Sequence, residues 1–554
     1  MKLLVIFLSL ILLNGFSSTA YAERPKSEMQ KYVDGMHPGW NLGNTLDAAG
    51  SETSWGNPRT TKELIDAIGS AGFKSIRIPV TWGHRMGPGP DYLIDSAFLE
   101  RVASIVQWSL DNDLYVMLNM HHDTGWIFRM KDEYDKVLAQ FEAAWTQIAG
   151  YFKDYPHKLM FESLNEPRFD DDWNKDTPQY FEMLDTLNKS FHRIVRSSGG
   201  LNADRPLVLS TMTASTTQVR FDQLAKTMKE LDDDRLIATF HYYGHWPFSV
   251  NVAGATKFDQ TVKLDLIGAF DRAYETFTAE GIPVIVGEYG LLGFDKELGT
   301  IQHGEMLKFF EYITYYGQEK EMPLMLWDNG QHYQRRLFRW SDESLYQTIM
   351  AKKGERSSYT SSDSIFLKKD GEIKDRRLKL ELNGNELVKI TVGEKELEES
   401  IDYDVSYGYL VIKKSLLEKL ITGDVGVNAV LTCEFSAGAP WDIQVILFDT
   451  PVLEAAKGTT RRFRIPTEFN GDRLATMEAV YQTGGSAGPH SWTSYKEFNH
   501  CFQPLYDLNS IELTSNFFQE VRDQAEVRLK FHFWSGEVVE YTVIKNGTGV
   551  EGFN

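Results

Sequence analysis

The sequence contains few cysteines for its length, and it has no motif that would bind zinc. Among 554 residues there are two cysteines, Cys433 and Cys501. A framework of disulfides is therefore excluded, and a chain this long can bury sufficient apolar surface without one. No spacing of Cys or His resembles a zinc site. We expect two free, buried thiols.

Positive charge is also scarce relative to negative charge. The chain has 58 Lys and Arg against 78 Asp and Glu, a formal net charge of −20 at pH 7. This balance argues against nucleic acid and against anionic membranes as partners, because both are bound through basic patches. A neutral substrate fits best. The 13 Trp and 25 Tyr supply flat faces that suit sugar rings.

Long hydrophobic runs are absent beyond the N-terminus. Lys2 precedes an apolar stretch, Leu3–Leu13, and Ala20-Tyr21-Ala22 has the small-x-small pattern of a cleavage site. We therefore predict a signal peptide over residues 1–22 and a secreted, extracellular protein that begins at Glu23. A membrane anchor is the alternative, but the run is too short to span a bilayer comfortably. No membrane association is expected of the mature chain.

The first large part of the mature chain, residues 23–352, alternates short apolar runs with longer helical patterns. Eight such β–α units across about 320 residues predict a (β/α)8 TIM barrel. A doubly wound open sheet is the alternative, and the lack of a glycine-rich nucleotide loop disfavours it. The predicted strands are Gly39–Thr45, Ser75–Val80, Tyr115–His122, Leu159–Pro167, Leu207–Thr211, Leu236–Gly244, Pro283–Gly290 and Pro323–Gly330.

The pattern changes after the barrel. Lys352–Ser358 is polar and predicts a linker, so the barrel is expected to fold without the C-terminal part of the chain. Residues 353–450 show period-two alternation, which predicts an Ig-like β-sandwich, and Asn383-Gly384 predicts a hairpin within it. Residues 451–554 predict a second all-β module, also a sandwich. The predicted fold class is an α/β barrel followed by two all-β modules.

Two glutamates occupy informative positions. Glu166 lies at the end of the fourth predicted strand and Glu288 at the end of the seventh. A carboxylate at the end of a buried strand is unfavourable unless it has a partner or a function. In a TIM barrel the C-terminal strand ends converge on the active site. Paired carboxylates there are the groups that hydrolyse glycosidic bonds.

Further polar and aromatic residues fall at or near the same strand ends. Each alone has an ordinary structural explanation, but together they would form a sugar site with an aromatic platform and hydrogen-bond donors. The adjacent histidines should point to opposite faces of a strand, and nothing completes a ligand set, so no metal is expected. These candidates are Asn44, Arg77, His121, His122, Asn165, His241, Tyr243 and Trp327.

Several of these segments resemble glycoside hydrolase family 5. The matching segments are Phe73–Pro79, Leu164–Pro167, His241–Tyr243 and Val286–Tyr289, and Gly39–Thr45 with Asn119–His122 resembles the endoglucanase and xyloglucanase branch. The resemblance implies a retaining mechanism without a cofactor, in which Glu166 is the acid/base and Glu288 the nucleophile. It also implies that Arg77, His121, Asn165, His241, Tyr243 and Trp327 shape the central subsite. The second module resembles an X2 module, and the third resembles a family 46 carbohydrate-binding module.

The implied substrate is a β-1,4-glucan, namely cellulose, mixed-linkage glucan or xyloglucan, and the enzyme is expected to be a monomer. β-Mannan is an alternative for the same chemistry. Two other classes remain open: a glycan-binding protein without activity, which both glutamates speak against, and a metal-dependent hydrolase built on a barrel.

One tryptophan of the last module is a further candidate. Trp492 ends a loop rich in turn residues, Gly484–Trp492, and is expected to be partly exposed. It would then serve as a sugar platform, with help from Trp534. The alternative is that Trp492 fills the core of its own module. The sequence leaves open whether this module folds back onto the barrel.

Overall fold

A computed structural model describes residues 26–554. The predicted signal peptide lies outside this range. Within it, no helix is both long and apolar enough to cross a membrane.

The N-terminal part is a closed barrel of eight parallel strands in chain order, with the last strand paired to the first. The predicted (β/α)8 barrel is confirmed, although the strands are shorter than predicted because the polar residues at their ends belong to loops. The strands are β1 (Gly39–Asn41), β2 (Ser75–Ile78), β3 (Tyr115–Asn119), β4 (Leu159–Glu162), β5 (Leu207–Ser210), β6 (Leu236–Tyr242), β7 (Val284–Tyr289) and β8 (Leu324–Leu326).

Helices surround the barrel, and side chains such as Thr61, Asp95 and Thr177 cap them by accepting a backbone N–H of the first turn. The helices are α1 (Glu28–Asp34), α2 (Lys62–Ser70), α3 (Ser96–Asp111), α4 (Thr124–Ile127), α5 (Tyr134–Phe152), α6 (Pro178–Ser197), α7 (Gln218–Leu231), α8 (Trp246–Ser249), α9 (Gln260–Thr276), α10 (His303–Glu319) and α11 (Glu343–Ile349). A small hairpin, β9 (Tyr333–Gln334) with β10 (Arg339–Trp340), lies between β8 and α11.

The N-terminal end of the barrel is sealed by α1. Met29 and Val33 of this helix pack on apolar side chains from the barrel interior, among them Met117, Met160 and Ile285. Because this end is filled, the open end is the one where the strands finish, which is where barrel enzymes place their active sites.

The second part consists of two sheets, as expected of a sandwich. Its elements are β11 (Tyr359–Thr360), β12 (Ser364–Lys368), β13 (Arg376–Glu381), β14 (Leu387–Val392), β15 (Lys395–Glu396), β16 (Tyr403–Ser406), β17 (Tyr409–Ile412), α12 (Lys414–Leu420), β18 (Gly426–Phe435) and β19 (Trp441–Phe448). The strand orders are β11-β13-β17-β16 and β12-β19-β18-β14-β15.

The predicted hairpin at Asn383-Gly384 is wrong. Both residues adopt the positive φ of a tight turn, but the strands on either side, β13 and β14, belong to different sheets.

The third part is one long antiparallel sheet. Its elements are β20 (Val452–Leu453), β21 (Ala456–Thr459), β22 (Arg462–Glu468), β23 (Leu474–Tyr481), β24 (Tyr495–Lys496), β25 (Phe502–Leu505), β26 (Ser510–Thr514), α13 (Ser515–Gln519), β27 (Glu526–Phe533), β28 (Val538–Asn546) and β29 (Gly549–Phe553). The strand order is β24-β23-β27-β28-β29-β21-β22-β26-β25, and β20 pairs with β22. Strands from both halves of this order, such as β22 and β27, contribute to one core, so the sheet closes over itself in two layers.

The connection between the barrel and the second module is more ordered than the predicted polar linker. Arg356 forms two hydrogen bonds of 2.7 Å with the carboxylate of Glu311 on α10, and Ser357 and Ser358 are buried. Asp363 of the module accepts the backbone N–H of Gly304 at 2.8 Å. The barrel and the second module therefore pack against each other along α10.

We predict that a chain ending at Arg356 stays folded, because it keeps the hydrogen bonds between Arg356 and Glu311. It should melt a few degrees below the full-length protein, because it loses the other contacts of the second module with α10. Calorimetry of the truncated and full-length chains measures the difference. Insolubility of the truncated chain would contradict independent folding of the barrel.

Candidate active site

A buried arginine at the centre of the barrel organises the site. Arg77 on β2 is fully buried and donates to four side chains from three other strands or the loops that follow them. Its Nε and Nη2 bind both oxygens of Glu162 at 2.8 and 3.1 Å. Its Nη1 binds Asn41 at 3.1 Å and Glu288 at 2.5 Å, and Nη2 binds Asn165 at 2.7 Å. All five N–H donors of the guanidinium are therefore used.

Glu288, near the end of β7, is held through both carboxylate oxygens. Oε1 accepts from Arg77, and Oε2 accepts from the hydroxyl of Tyr243 at 2.6 Å. Burial raises the pKa of Tyr243 well above its usual value, and the charge of Glu288 adds to this, so the hydroxyl keeps the proton that it donates. Both carboxylate oxygens of Glu288 are thus occupied by donors of the protein.

Glu166 lies close to Glu288, and His241 contacts both of them. Nδ1 of His241 is 3.0 Å from Oε1 of Glu166 and 3.4 Å from Oε2 of Glu288. An oxygen of each carboxylate and a ring nitrogen of His241 all lie within 4.8 Å of one another. Burial opposes protonation of His241, but the charge of Glu288 and the hydrogen bond to Glu166 raise its pKa overall.

The backbone places Glu166 differently from the prediction. Strand β4 ends at Glu162, four residues earlier, and Glu166 has a positive φ of 41° in the loop after it. This turn brings the side chain back towards His241, and about a quarter of it remains exposed. The carboxylate at the end of the buried strand is instead Glu162, the partner of Arg77.

Two more candidates, His121 and Trp327, lie beside Glu288 and stack on each other. The ring of His121 is parallel to that of Trp327, with centroids 5.7 Å apart, and its Nε2 lies 3.9 Å from Glu288. Burial lowers the pKa of His121 well below its usual value, and the charges of His122, Arg77 and His241 lower it further. His121 is therefore neutral in the site.

Two candidates lie away from the glutamate pair. Asn44 has a positive φ and its backbone N–H binds Asp47, with no hydrogen bond to either glutamate in the described chain. His122 is exposed, 5.4 Å from the ring of Trp55 and 3.8 Å from a carboxylate oxygen of Asp47. The expectation that His121 and His122 point to opposite faces is wrong, because β3 ends at Asn119 and the two rings are only 4.4 Å apart.

Within residues 26–554, two groups of side chains bring ligand-type atoms within 4.8 Å of one another: Asp47, His121 and His122, and Glu166, His241 and Glu288. The oxygens of Asp47 already accept the backbone N–H groups of Asn44 and Thr45. Those of Glu288 accept from Arg77 and Tyr243. Both acids are thus committed to donors of the protein.

Three buried residues of the site were not among the candidates from the sequence: Asn41, Asn119 and Glu162. Asn119 donates to Glu162 at 3.0 Å and lies 3.1 Å from Nδ1 of His121, so it links the two. Asn41 donates to the carbonyl of Gly287, next to Glu288. The signal was present, since each residue is a polar side chain at the end of an apolar strand.

Three tryptophans in the loops after β1, β4 and β6 were also missed. Trp55, Trp173 and Trp246 each expose more than two fifths of their surface at the open end of the barrel. Exposed indoles in loops around a polar cavity suit the flat faces of sugar rings. Like Trp492, each of them lies in a loop, so the sequence contained the same signal for all four.

The C-terminal module folds back onto the barrel, beside the loop after β6. Asn251 in this loop donates to the carbonyl of Ala475 at 2.8 Å, and Asn499 donates to Thr300 at 2.8 Å. Trp492 is 61% exposed, so it does not fill the core of its module. Its ring lies 6.4 Å from that of Trp246.

Trp534 does not share this position. It lies half-buried at the turn between β27 and β28, and its backbone N–H binds the carbonyl of Arg473. In the described part of the chain its ring does not pair with that of Trp492.

Comparison with known families agrees with this architecture. The sequence matches the model of cellulase (glycosyl hydrolase family 5) over residues 41–333. It matches the carbohydrate binding domain X2 over residues 359–445 and the carbohydrate binding domain CBM46 over residues 449–553.

Individual relatives share the whole arrangement. A protein named endoglucanase B from Paenibacillus lautus is 53% identical over 539 residues, which are 97% of this chain and 95% of the relative. The structure of a tri-modular endo-β-1,4-glucanase B from Bacillus halodurans has a TM-score of 0.93 at 50% identity, covering 96% of this chain and 99% of that one.

A tri-modular endo-β-1,4-glucanase from Bacillus licheniformis, of family 5 subfamily 4 and complexed with cellotetraose, has a TM-score of 0.82 at 31% identity. The match covers 92% of this chain and 99% of that one. With its barrel, its two glutamates and the family match over more than half of its length, the chain belongs to glycosyl hydrolase family 5 and is a glycoside hydrolase with two carbohydrate-binding modules.

Proposed function

We propose that this protein is a secreted, monomeric endo-β-1,4-glucanase that hydrolyses β-glucan polysaccharides with retention of configuration. The observation that carries the proposal is the pair Glu166 and Glu288, whose nearest oxygens lie within 4.8 Å. Retaining enzymes hold their carboxyl groups about 5–5.5 Å apart, whereas inverting enzymes leave about 6.5–9.5 Å for a water molecule. The names of the relatives, endoglucanase and endo-β-1,4-glucanase, support the substrate class.

In the first step an oxygen of Glu288 attacks the anomeric carbon. The bond to the leaving oxygen breaks, and Glu166 donates its proton to that oxygen. In the second step Glu166 takes a proton from water, the water oxygen attacks the anomeric carbon, and the ester with Glu288 breaks. Arg77 and Tyr243 hold the nucleophile in place throughout.

His241 links the two acids in this cycle. Its Nδ1 lies between an oxygen of Glu166 and an oxygen of Glu288, so it orients both carboxylates relative to each other. Asn165 accepts a hydrogen bond from Arg77, and we expect it to bind the sugar 2-hydroxyl, a contact that strengthens in the transition state.

The aromatic residues around the barrel rim support a polymeric substrate. Trp55, Trp173 and Trp246 come from three different loops, and Trp492 continues the surface beyond the barrel. Aromatic platforms on several separate loops suit a chain of several sugar units that is cut internally. Trp327 stacks on His121, whose Nε2 lies 3.9 Å from Glu288.

Reducing-sugar release from a panel of cellulose, mixed-linkage glucan, xyloglucan and β-mannan, with and without EDTA, tests this proposal. We expect the wild type to release sugar from the glucans, with or without EDTA. The Glu288→Gln variant should release no detectable sugar, because its kcat should fall about 10⁴-fold or more. Glu166→Gln should retain activity only on substrates with good leaving groups, which need no acid.

The outcomes of this panel separate the alternatives. Preference for mannan would identify a β-mannanase on the same scaffold. Binding without release would identify a glycan-binding protein, and loss of activity in EDTA would identify a metal-dependent hydrolase. Inversion at the anomeric carbon, observed by NMR of the first product, would contradict the retaining mechanism.

The partner of Arg77 should matter for the rate even though it does not reach the substrate. Glu162→Gln removes one charge of the buried network and frees the guanidinium from its two-point contact. We expect kcat to fall about 10–100-fold with little change in KM, the range seen when groups that orient a site are removed.

Glu305→Gln is the matched control for this variant, because Glu305 is also buried and pairs with Lys308 at 2.8 Å, outside the site. It should lower the melting temperature without changing kcat. Equal kcat for Glu162→Gln and the wild type would contradict a role of Glu162 in positioning Arg77.

Trp492→Ala should weaken action on polymers while leaving short oligosaccharides unaffected, because only a long chain reaches the C-terminal module. We expect kcat/KM on xyloglucan and on insoluble cellulose to fall about fivefold to tenfold, or ~1–1.4 kcal/mol, as for the loss of one aromatic contact. Tyr407→Ala, at a tyrosine that is 97% exposed in the second module, is the control. Equal activity of the Trp492 variant and the wild type would contradict a role as a platform.

A further inference from the structure

The C-terminal module contains a fully buried lysine directly beneath the loop that carries Trp492. Lys496 lies on β24, and its side chain is 0% exposed. Its Nζ donates to the hydroxyl of Ser486 at 2.7 Å and to the carbonyls of Pro489 and Thr493 at 2.8 and 3.1 Å. The three donors of the ammonium group thus match three oxygens of one loop.

This lysine lacks the usual partner of a buried cation. In the described chain no carboxylate lies within 4.0 Å of its Nζ, and burial lowers its pKa to about 8. A charge in such a place destabilises the fold unless hydrogen bonds compensate for the lost hydration. Here all of that compensation comes from the loop between β23 and β24, so the lysine and the loop conformation depend on each other.

The three oxygens bracket the tryptophan. Pro489 and Thr493 lie on either side of Trp492 in the chain, and the hydroxyl of Ser486 also donates to the carbonyl of Thr493. The loop begins with Gly484 and Gly485, both at positive φ, and it is also held by the contact of His490 with Glu497 at 2.9 Å. Without the lysine, the carbonyl of Pro489 would lose this donor and the carbonyl of Thr493 would keep only the hydroxyl of Ser486.

We propose that Lys496 is a positioning residue that holds the indole of Trp492 beside Trp246 of the barrel, and thereby sets how well the enzyme acts on long glucans. This rests on the proposed function of Trp492 as a sugar platform. The structure offers the required chain of contacts: Lys496 to the loop, the loop to Trp492, and Trp492 to Trp246 at 6.4 Å.

The experiment compares kcat/KM on xyloglucan with that on a short soluble oligosaccharide for five variants of the full-length chain. They are Lys496→Met, Ser486→Ala, Trp492→Ala, the double variant Lys496→Met with Trp492→Ala, and Lys545→Met. Lys545 is the control, because it also donates to two backbone carbonyls of this module, those of Phe518 and Val521, away from the Trp492 loop.

We expect Lys496→Met to lose about fivefold on xyloglucan, close to the loss for Trp492→Ala, and nothing on the short substrate. Ser486→Ala should lose less in the same direction, and Lys545→Met should lose nothing on either substrate. The double variant should be no worse than Trp492→Ala alone, because two residues that act through one contact are not additive.

Three results would overturn the proposal: unchanged xyloglucan activity in Lys496→Met at an unchanged melting temperature, equal losses on both substrates, or additive losses in the double variant. If Lys496→Met unfolds the module, Ser486→Ala decides by the same criteria. A Trp492→Ala variant with full activity would instead refute the platform itself, which separates failure of the proposed function from failure of this inference.

Discussion

The site depends on the guanidinium of Arg77. It sits in the middle of the barrel without contact to water, and its pKa stays above the usual value because the charges of Glu162 and Glu288 outweigh the effect of burial. Its partners come from β1, β4 and β7 as well as the loop after β4. Five hydrogen bonds from one rigid plane therefore fix the relative positions of four strands, and Glu288, the proposed nucleophile, is held among them.

The three carboxylates of the site differ in what they contact and in how far they are buried. Glu162 is fully buried and has no access to a substrate, so its role is to balance and orient Arg77. Glu288 shares the same cation but keeps a second oxygen on Tyr243. Glu166 has no hydrogen bond to Arg77 and is partly exposed, which suits the acid/base role proposed for it. Contact with Arg77 separates Glu162 and Glu288 from Glu166, and the bond to Tyr243 separates Glu288 from Glu162.

The sequence was sufficient for the barrel, because eight apolar strands at regular spacing have few other solutions. It also selected the glutamate pair, but for a partly wrong reason: β4 ends at Glu162, and Glu166 reaches the site through a left-handed turn. Such turns, like the one at Asn383 that joins two sheets instead of two paired strands, depend on tertiary contacts. Local pattern identifies the turn residues, but it does not say which strands they connect.

The loop after β6 connects the chemistry to the C-terminal module. It starts directly after His241 and Tyr243, carries Trp246, and then presents Asn251, whose amide donates to the carbonyls of Thr300 and Ala475. One end of this loop is thus fixed by β6 and the other by the C-terminal module. The barrel and the C-terminal module together therefore determine the position of Trp246, and the module packs on the barrel rather than hanging from a tether.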